Sequence, residues 1–304
     1  MPNGAPTIIR QVIGRPAVGA NLQPMVDTYL APIATRSDSF GTLLRAWRRR
    51  RGASQLALAV QSGVSQRHVS FLESGRARPS RDMVVQLSSA LDVPLRQRNV
   101  LLLAAGFAPA YAETNLAAPE LKPVRQAIER MLKQQEPYPA VVIDRLWNLL
   151  QANDAANAFT VFLYEGPPPA PPAGKQHNLL RWLLDPSLLR SKLVNWEEVT
   201  RYLVSTTYAE ILAAGGEPKA MEFVQEVMAY PDVPASFRSL RFDDRPAPIL
   251  TLDFRIGGKA LSVFTTIATL GTPQDITLQE VRIESFFPAD DRSDALFKSL
   301  AANA

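Results

Sequence analysis

Arginine is the residue type dense enough here to do chemistry by numbers. Between residues 39 and 100 it stands at 45, 48, 49, 50, 51, 67, 76, 78, 81, 96 and 98, against only Glu73, Asp82 and Asp92, a net +8 in a chain whose total is +4. Residues 1–38 add +1, so residues 101–304 carry about −5. A basic stretch joined to a mildly acidic one suggests a polyanion partner for the first and a different task for the second. A solvated arginine face is the plain alternative. Asn178 and Arg181 stand at i and i+3 on an otherwise leucine-rich helix, a pair on one face that can grip a carboxylate or carbonyl, or else bond loops or Asp185. Trp147, Phe159, Trp182, Trp196, Phe254 and Phe264 offer the lining of an apolar pocket, or simple core.

Much other chemistry is excluded by composition. The chain has no cysteine and only His68 and His177, which removes disulfides, thiolate catalysis and thiolate zinc sites and nearly removes histidine metal sites and serine triads. No metal or cofactor is expected. Asp144, Asp253 and Glu284 have no spacing that argues for acid and base working together, so an enzyme is not expected. With 304 residues and 46% hydrophobic composition the chain can build two cores. No apolar run approaches the roughly 18 residues of a membrane helix, and the start lacks the pattern of a signal peptide, so a soluble cytoplasmic protein is expected.

The elements that must position these residues are legible in part. Residues 1–38, rich in Pro, Gly, Ala and Thr, read as a flexible arm, and Met25 is a second candidate start. Phe40, Leu43, Leu44 and Trp47 then recur at helical spacing up to Gly52. Ser54 opens a short second helix that ends at Ser62-Gly63, and Ser65 caps a third running to Glu73. Pro79-Ser80 announces a fourth helix, and a fifth spans about 95–105. Five short helices with a tight glycine turn between the second and third make a helix-turn-helix plan.

Farther on, Pro123 to Lys133 reads as a linking helix, Ala140 to Asp144 as a strand with a hairpin partner over 145–150, and Asn153 as a helix cap. Helices are expected over about 177–190, 193–214 and 217–230. Residues 249–256 and 261–267 alternate around Gly257-Gly258, and a last strand covers 281–287. Two strands, helices, then three strands predict an α+β arrangement with one antiparallel sheet curved under helices. The domains expected are an arm over 1–38, a helical domain over 39–112, a linker helix over 113–136, an α+β domain over 137–290 and a tail helix over 291–304.

Ser54-Gln55-Leu56-Ala57, Gly63-Val64-Ser65, Phe71-Leu72-Glu73-Ser74-Gly75-Arg76 and Arg78-Pro79-Ser80 together resemble the DNA-binding domain of the XRE family, which includes the lambda repressor and Cro proteins. The resemblance implies an all-α, five-helix, lambda-repressor-like domain in which Gln66, Arg67, Ser70 and Phe71 face base edges and Gln55 touches a phosphate. Gln pairs two-pronged with adenine, Arg with guanine, and an apolar ring meets a thymine methyl. Arg49, Arg50, Arg76, Arg78 and His68 are then phosphate contacts. Gln66 also fits a plain capping role and Phe71 a core position, while Glu73 is expected to satisfy backbone or a neighbouring arginine.

Tyr138-Pro139-Ala140, Asp144-Arg145, Asn178-Leu179-Leu180-Arg181, Val194-Asn195-Trp196-Glu197-Glu198, Gly271-Thr272-Pro273-Gln274-Asp275 and Glu284-Ser285-Phe286-Phe287-Pro288 resemble the MmyB-like transcription regulators. That family implies a PAS-like ligand-binding domain after the XRE domain. The resulting expectation is a sequence-specific transcription regulator acting on double-stranded DNA, a homodimer on a pseudo-palindromic operator. Its second domain would bind a small apolar or fatty-acid-like effector through Asn178, Arg181, Trp147, Trp182, Phe254 and Phe264. The alternative is an XRE protein whose second domain serves only dimerisation or protein contacts.

Overall fold

The computed structural model describes residues 38–238 and 249–302. The expected arm, Asp38 aside, and the alternative start at Met25 lie outside the described residues.

Four of the first five helices among the described residues begin on a serine whose hydroxyl takes up an otherwise orphaned backbone N–H three residues on: Ser39 from Thr42, Ser54 from Ala57, Ser65 from His68 and Ser80 from Met83. They are α1 (Phe40–Arg50), α2 (Gln55–Ser62), α3 (Gln66–Glu73) and α4 (Arg81–Ala90), followed by α5 (Leu95–Ala104), which has no side-chain cap. Gly63, at φ +66°, ends α2 in the left-handed conformation that lets α3 start three residues later. Phe40, Leu43, Leu44 and Trp47 of α1 are buried against Leu58, Val69, Leu72, Leu87 and Leu102, one core shared by all five helices. This is the all-α, five-helix fold expected of the first module.

The second layer is a five-stranded antiparallel sheet built from β1 (Ala140–Ile143), β2 (Leu149–Ala152), β3 (Leu252–Ile256), β4 (Lys259–Thr269) and β5 (Arg282–Pro288), in the order β2-β1-β5-β4-β3. One face is covered by α7 (Asp154–Tyr164), α8 (Leu179–Leu184) and α9 (Trp196–Ala213), with α10 (Pro218–Met228) beyond them. The result is the expected α+β domain, one antiparallel sheet under helices.

Several details differ from the sequence expectations. The helix expected over 177–190 stops at Leu184, because Asp185 precedes Pro186 and takes an extended conformation that a proline imposes on its predecessor. The helix expected as a linker, α6 (Lys122–Gln134), is instead a wall: Ile128 and Leu132 are buried against Ala140, Val142, Val281 and Ile283 on the sheet's second face. A short helix between β4 and β5, α11 (Ile276–Glu280), was not foreseen; Asp275 caps it. The terminal helix, α12 (Asp291–Ala302), is no tail, since Phe297 is 1% exposed and meets Phe159 and Tyr138 edge to face.

The helical module and the sheet layer belong to one compact unit. Arg96 of α5 donates to both oxygens of Glu280 at the end of α11, at 2.9 and 3.0 Å, and to Glu113 at 2.8 and 2.5 Å. Glu280 also pairs with Arg145 at 3.2 Å, and Arg145 pairs with Glu217. Beside them the Leu95 N–H donates to the Gln279 side chain and the Ile276 N–H to the Ala112 carbonyl. Where α9 ends, a Cβ on Gly215 would come within 3.0 Å of Gln97 and 3.2 Å of Trp47, so the turn after α9 rests directly on α1 and α5. Among the described residues no helix is long and apolar enough to cross a membrane.

Candidate functional sites

The first candidate surface is the outer side of α3. Val69 and Leu72 anchor the helix in the core, which turns Gln66 and Arg67 outward, both exposed, and leaves His68, Ser70 and Phe71 half-buried. The Phe71 ring faces the guanidinium groups of Arg67 at 5.3 Å and Arg76 at 6.0 Å, an arrangement that holds both arginines at the surface of α3. Arg49 and Arg78 are exposed, and Arg50 lies 5.6 Å from the Trp47 ring.

The pose of α3 depends on Glu73 at its last turn. Glu73 is 5% exposed, and both carboxylate oxygens are committed: Arg48 Nε donates at 2.6 Å, Arg48 Nη2 at 2.9 Å and Gln55 Nε2 at 2.9 Å. Arg45 adds a bond to the Glu73 carbonyl at 3.0 Å. Burial alone would push this carboxyl up, but the hydrogen bonds from Arg48 and Gln55 and the charges of Arg48 and Arg45 outweigh it and hold the group below the usual carboxylate range. Gln55, expected at a phosphate, thus has its amide engaged within the fold, and Arg48, given no role from the sequence, ties α1 to α3.

The second candidate site is a cavity of about 670 Å³ between the sheet and helices α7, α8 and α9, a size within the usual range for ligand sites. Leu149, Phe159, Leu163, Trp182, Leu203 and Phe254 make much of its wall. Trp147 enters it because Asp144 builds the β1–β2 turn, accepting from the Leu146 and Asn148 backbone at 2.8 and 2.9 Å. That turn leaves Trp147 at φ +65°, its indole N–H bonded to Thr207 at 2.9 Å. Of the six residues expected to bind ligand, Trp147, Trp182 and Phe254 line the cavity.

The other three are placed elsewhere. Asn178, 2% exposed, caps α8 through the Arg181 N–H and donates to the Leu146 carbonyl at 2.7 Å and to Asn148 at 3.0 Å, so it fixes the cavity wall from behind. Arg181 makes a two-pronged bond to Glu226 of α10 at 2.6 and 2.9 Å. Phe264 points to the opposite side of the sheet from the cavity-lining Thr265 and stacks on Phe287. The side chains at i and i+3 therefore serve separate protein partners rather than one ligand.

Sequence reasoning passed over the most polar part of the lining. Glu284, in the middle of β5, is 5% exposed and its Oε2 has no hydrogen-bond partner. Burial pushes its carboxyl up to about 7, against smaller opposing effects of a Thr265 hydrogen bond and the Arg282 charge. Arg282, two residues earlier on the same face, is itself paired with Glu210 of α9 at 2.7 Å.

Comparison with known proteins agrees with this division. A family model described as a helix-turn-helix domain matches residues 39–101, and one described as the MmyB-like transcription regulator ligand binding domain matches residues 124–300. No curated protein matches the chain. Among solved structures, one titled as an RNA-binding light-oxygen-voltage receptor matches at 12% identity and a TM-score of 0.28, covering 96% of this chain and 70% of that one.

Proposed function

The chain belongs to the family of the MmyB-like transcription regulator ligand binding domain, and from that premise we propose that it is a sequence-specific DNA-binding regulator whose operator affinity is set by a small, largely apolar effector of fatty-acid-like size in the cavity. The observation that carries the reading is α3, anchored by Val69, Leu72 and Glu73 and presenting Gln66 and Arg67 outward on the basic side of a helix-turn-helix module. Gln66, Arg67, Ser70 and Phe71 take the base edges. Arg49, Arg50, Arg76, Arg78 and His68, with Gln55 through whatever its bond to Glu73 leaves free, take the phosphates. One such module contacts few bases, so two copies on a pseudo-palindromic operator, with half-sites about 34–36 Å apart, supply the discrimination that a genome requires. The formed cavity favours effector binding over a second domain that only mediates contacts between proteins.

Selection from a randomised duplex pool tests the readout. Arg67→Ala should relax base preference at one or two positions, each worth about 1–3 kcal/mol. Arg50→Ala should weaken binding to every sequence alike and reduce the salt slope by about one. An unchanged consensus from Arg67→Ala would defeat the assignment of α3.

A further inference from the structure

A carboxyl placed in an apolar wall is costly unless something supplies it with donors. Glu284 sits between Val141 of β1 and Ile267 of β4 in the sheet register, and all three line the cavity. The Thr265 side chain supplies one hydrogen bond to its carboxyl, Oε2 is left with none, and the residue is 5% exposed. The nearest cation on the same strand face, Arg282, is drawn toward Glu210 of α9. In this largely apolar lining Glu284 Oε2 is therefore an acceptor that lacks a donor, and the lining arginine, Arg282, is already paired and not left over to meet an incoming carboxylate.

We propose that Glu284 is the head-group anchor of the cavity, and that the effector is an elongated apolar molecule whose polar end is a hydrogen-bond donor, a hydroxyl or an ammonium. This rests on the effector reading given above and specifies the chemistry of its ligand. The donor completes the bonding of Oε2 while the carbon chain runs among Trp147, Trp182 and Phe254. An ionised carboxylate head would instead bring a second acceptor-only group against the first. The other titratable groups lining the cavity are His177, Tyr202, Glu210 and Arg282. With Glu284 pushed up to about 7 by burial, discrimination against acids sharpens as pH rises above neutrality.

Trp147 and Trp182 in the cavity wall make intrinsic fluorescence the direct readout. The full chain is titrated at about pH 8 with three ten-carbon probes, 1-decanol, decylamine and decanoate, where Glu284 is mostly ionised. The wild type should bind the alcohol and the amine about tenfold or more tightly than decanoate, the range expected for a hydrogen bond to a charged group. In Glu284→Leu the three should fall to within about twofold of one another. Glu284→Gln keeps the side-chain volume and adds an amide donor, so it should move the preference toward decanoate, and it serves as the test if the leucine variant does not fold. Decanoate binding as tightly as the alcohol in the wild type, or a donor preference that survives both substitutions, would overturn the anchor while leaving the effector site standing. No saturable change with any of the three would overturn the effector reading together with it.

Discussion

Glu73 and Glu284 are both buried carboxyls, and their surroundings drive them in opposite directions. Around Glu73, burial is outweighed by Arg48, Gln55 and Arg45, and the group is held low; around Glu284, burial prevails and the group rises to about 7. The consequences for stability have opposite signs. Glu73 contributes stability above its ordinary range that is lost on acidification. Glu284, whose folded value exceeds the ordinary 4.5, contributes stability that is fully present below about 4.5 and is lost as pH rises through about 7. That difference corresponds to roughly 3 kcal/mol. Urea unfolding of the wild type and of Glu284→Gln across this window should show the gap between them shift in favour of the variant by about that amount as pH rises. Parallel curves would mean that Glu284 does not carry the carboxyl burial cost assigned to it.

Helices α1 and α3 are joined by the Glu73 cluster, which should help hold the pose of α3. Replacing Glu73 by Ala leaves the Arg48 guanidinium, only 12% exposed, with the Ala53 carbonyl but no counter-charge from Glu73, and should cost roughly 3–5 kcal/mol in chemical denaturation. A loss under about 1 kcal/mol would show that α3 is held by its apolar side alone. Much of this element layer is readable from sequence, because its signals are local: serine caps, helical apolar stripes and the Gly63 turn fall within a few residues of what they specify. The sheet layer is less readable for a physical reason. Val124, Ile128 and Leu132 announce an amphipathic α6, but a stripe does not say which surface covers it, and here that surface is the second face of the sheet. Trp147, Trp182 and Phe254 were expected in the cavity and line it, whereas Asn178 and Arg181 serve the turn beside Trp147 and the neighbouring helix. Glu284 had a usable signal: alternation along Val281 to Phe287 puts Arg282, Glu284 and Phe286 on one face, so a carboxyl shares a strand face with an aromatic ring. Its value appeared only when β5 proved to be the central strand under the helices.

Across the whole molecule, α9 is the element that touches both tasks. Its Val199, Leu203, Thr206 and Glu210 line the cavity, and the turn that follows it rests on Trp47 and Gln97 of the helical module. Alongside runs the ionic joint of Arg96 with Glu113 and Glu280 and of Arg145 with Glu217 and Glu280. These packed, paired contacts offer a physical route for the proposed coupling between the cavity and the module that carries α3. Arg96→Ala should leave decanol binding intact and weaken its effect on operator binding, because it removes the Arg96 bonds to Glu113 and Glu280 from the joint without touching either site. The most direct measurement is fluorescence anisotropy of a selected operator duplex titrated with the full chain, free and saturated with 1-decanol, with tryptophan fluorescence confirming that the cavity is filled. The operator affinity should change by about fivefold or more between the two states. Identical operator affinity with the cavity demonstrably occupied would contradict the proposed coupling.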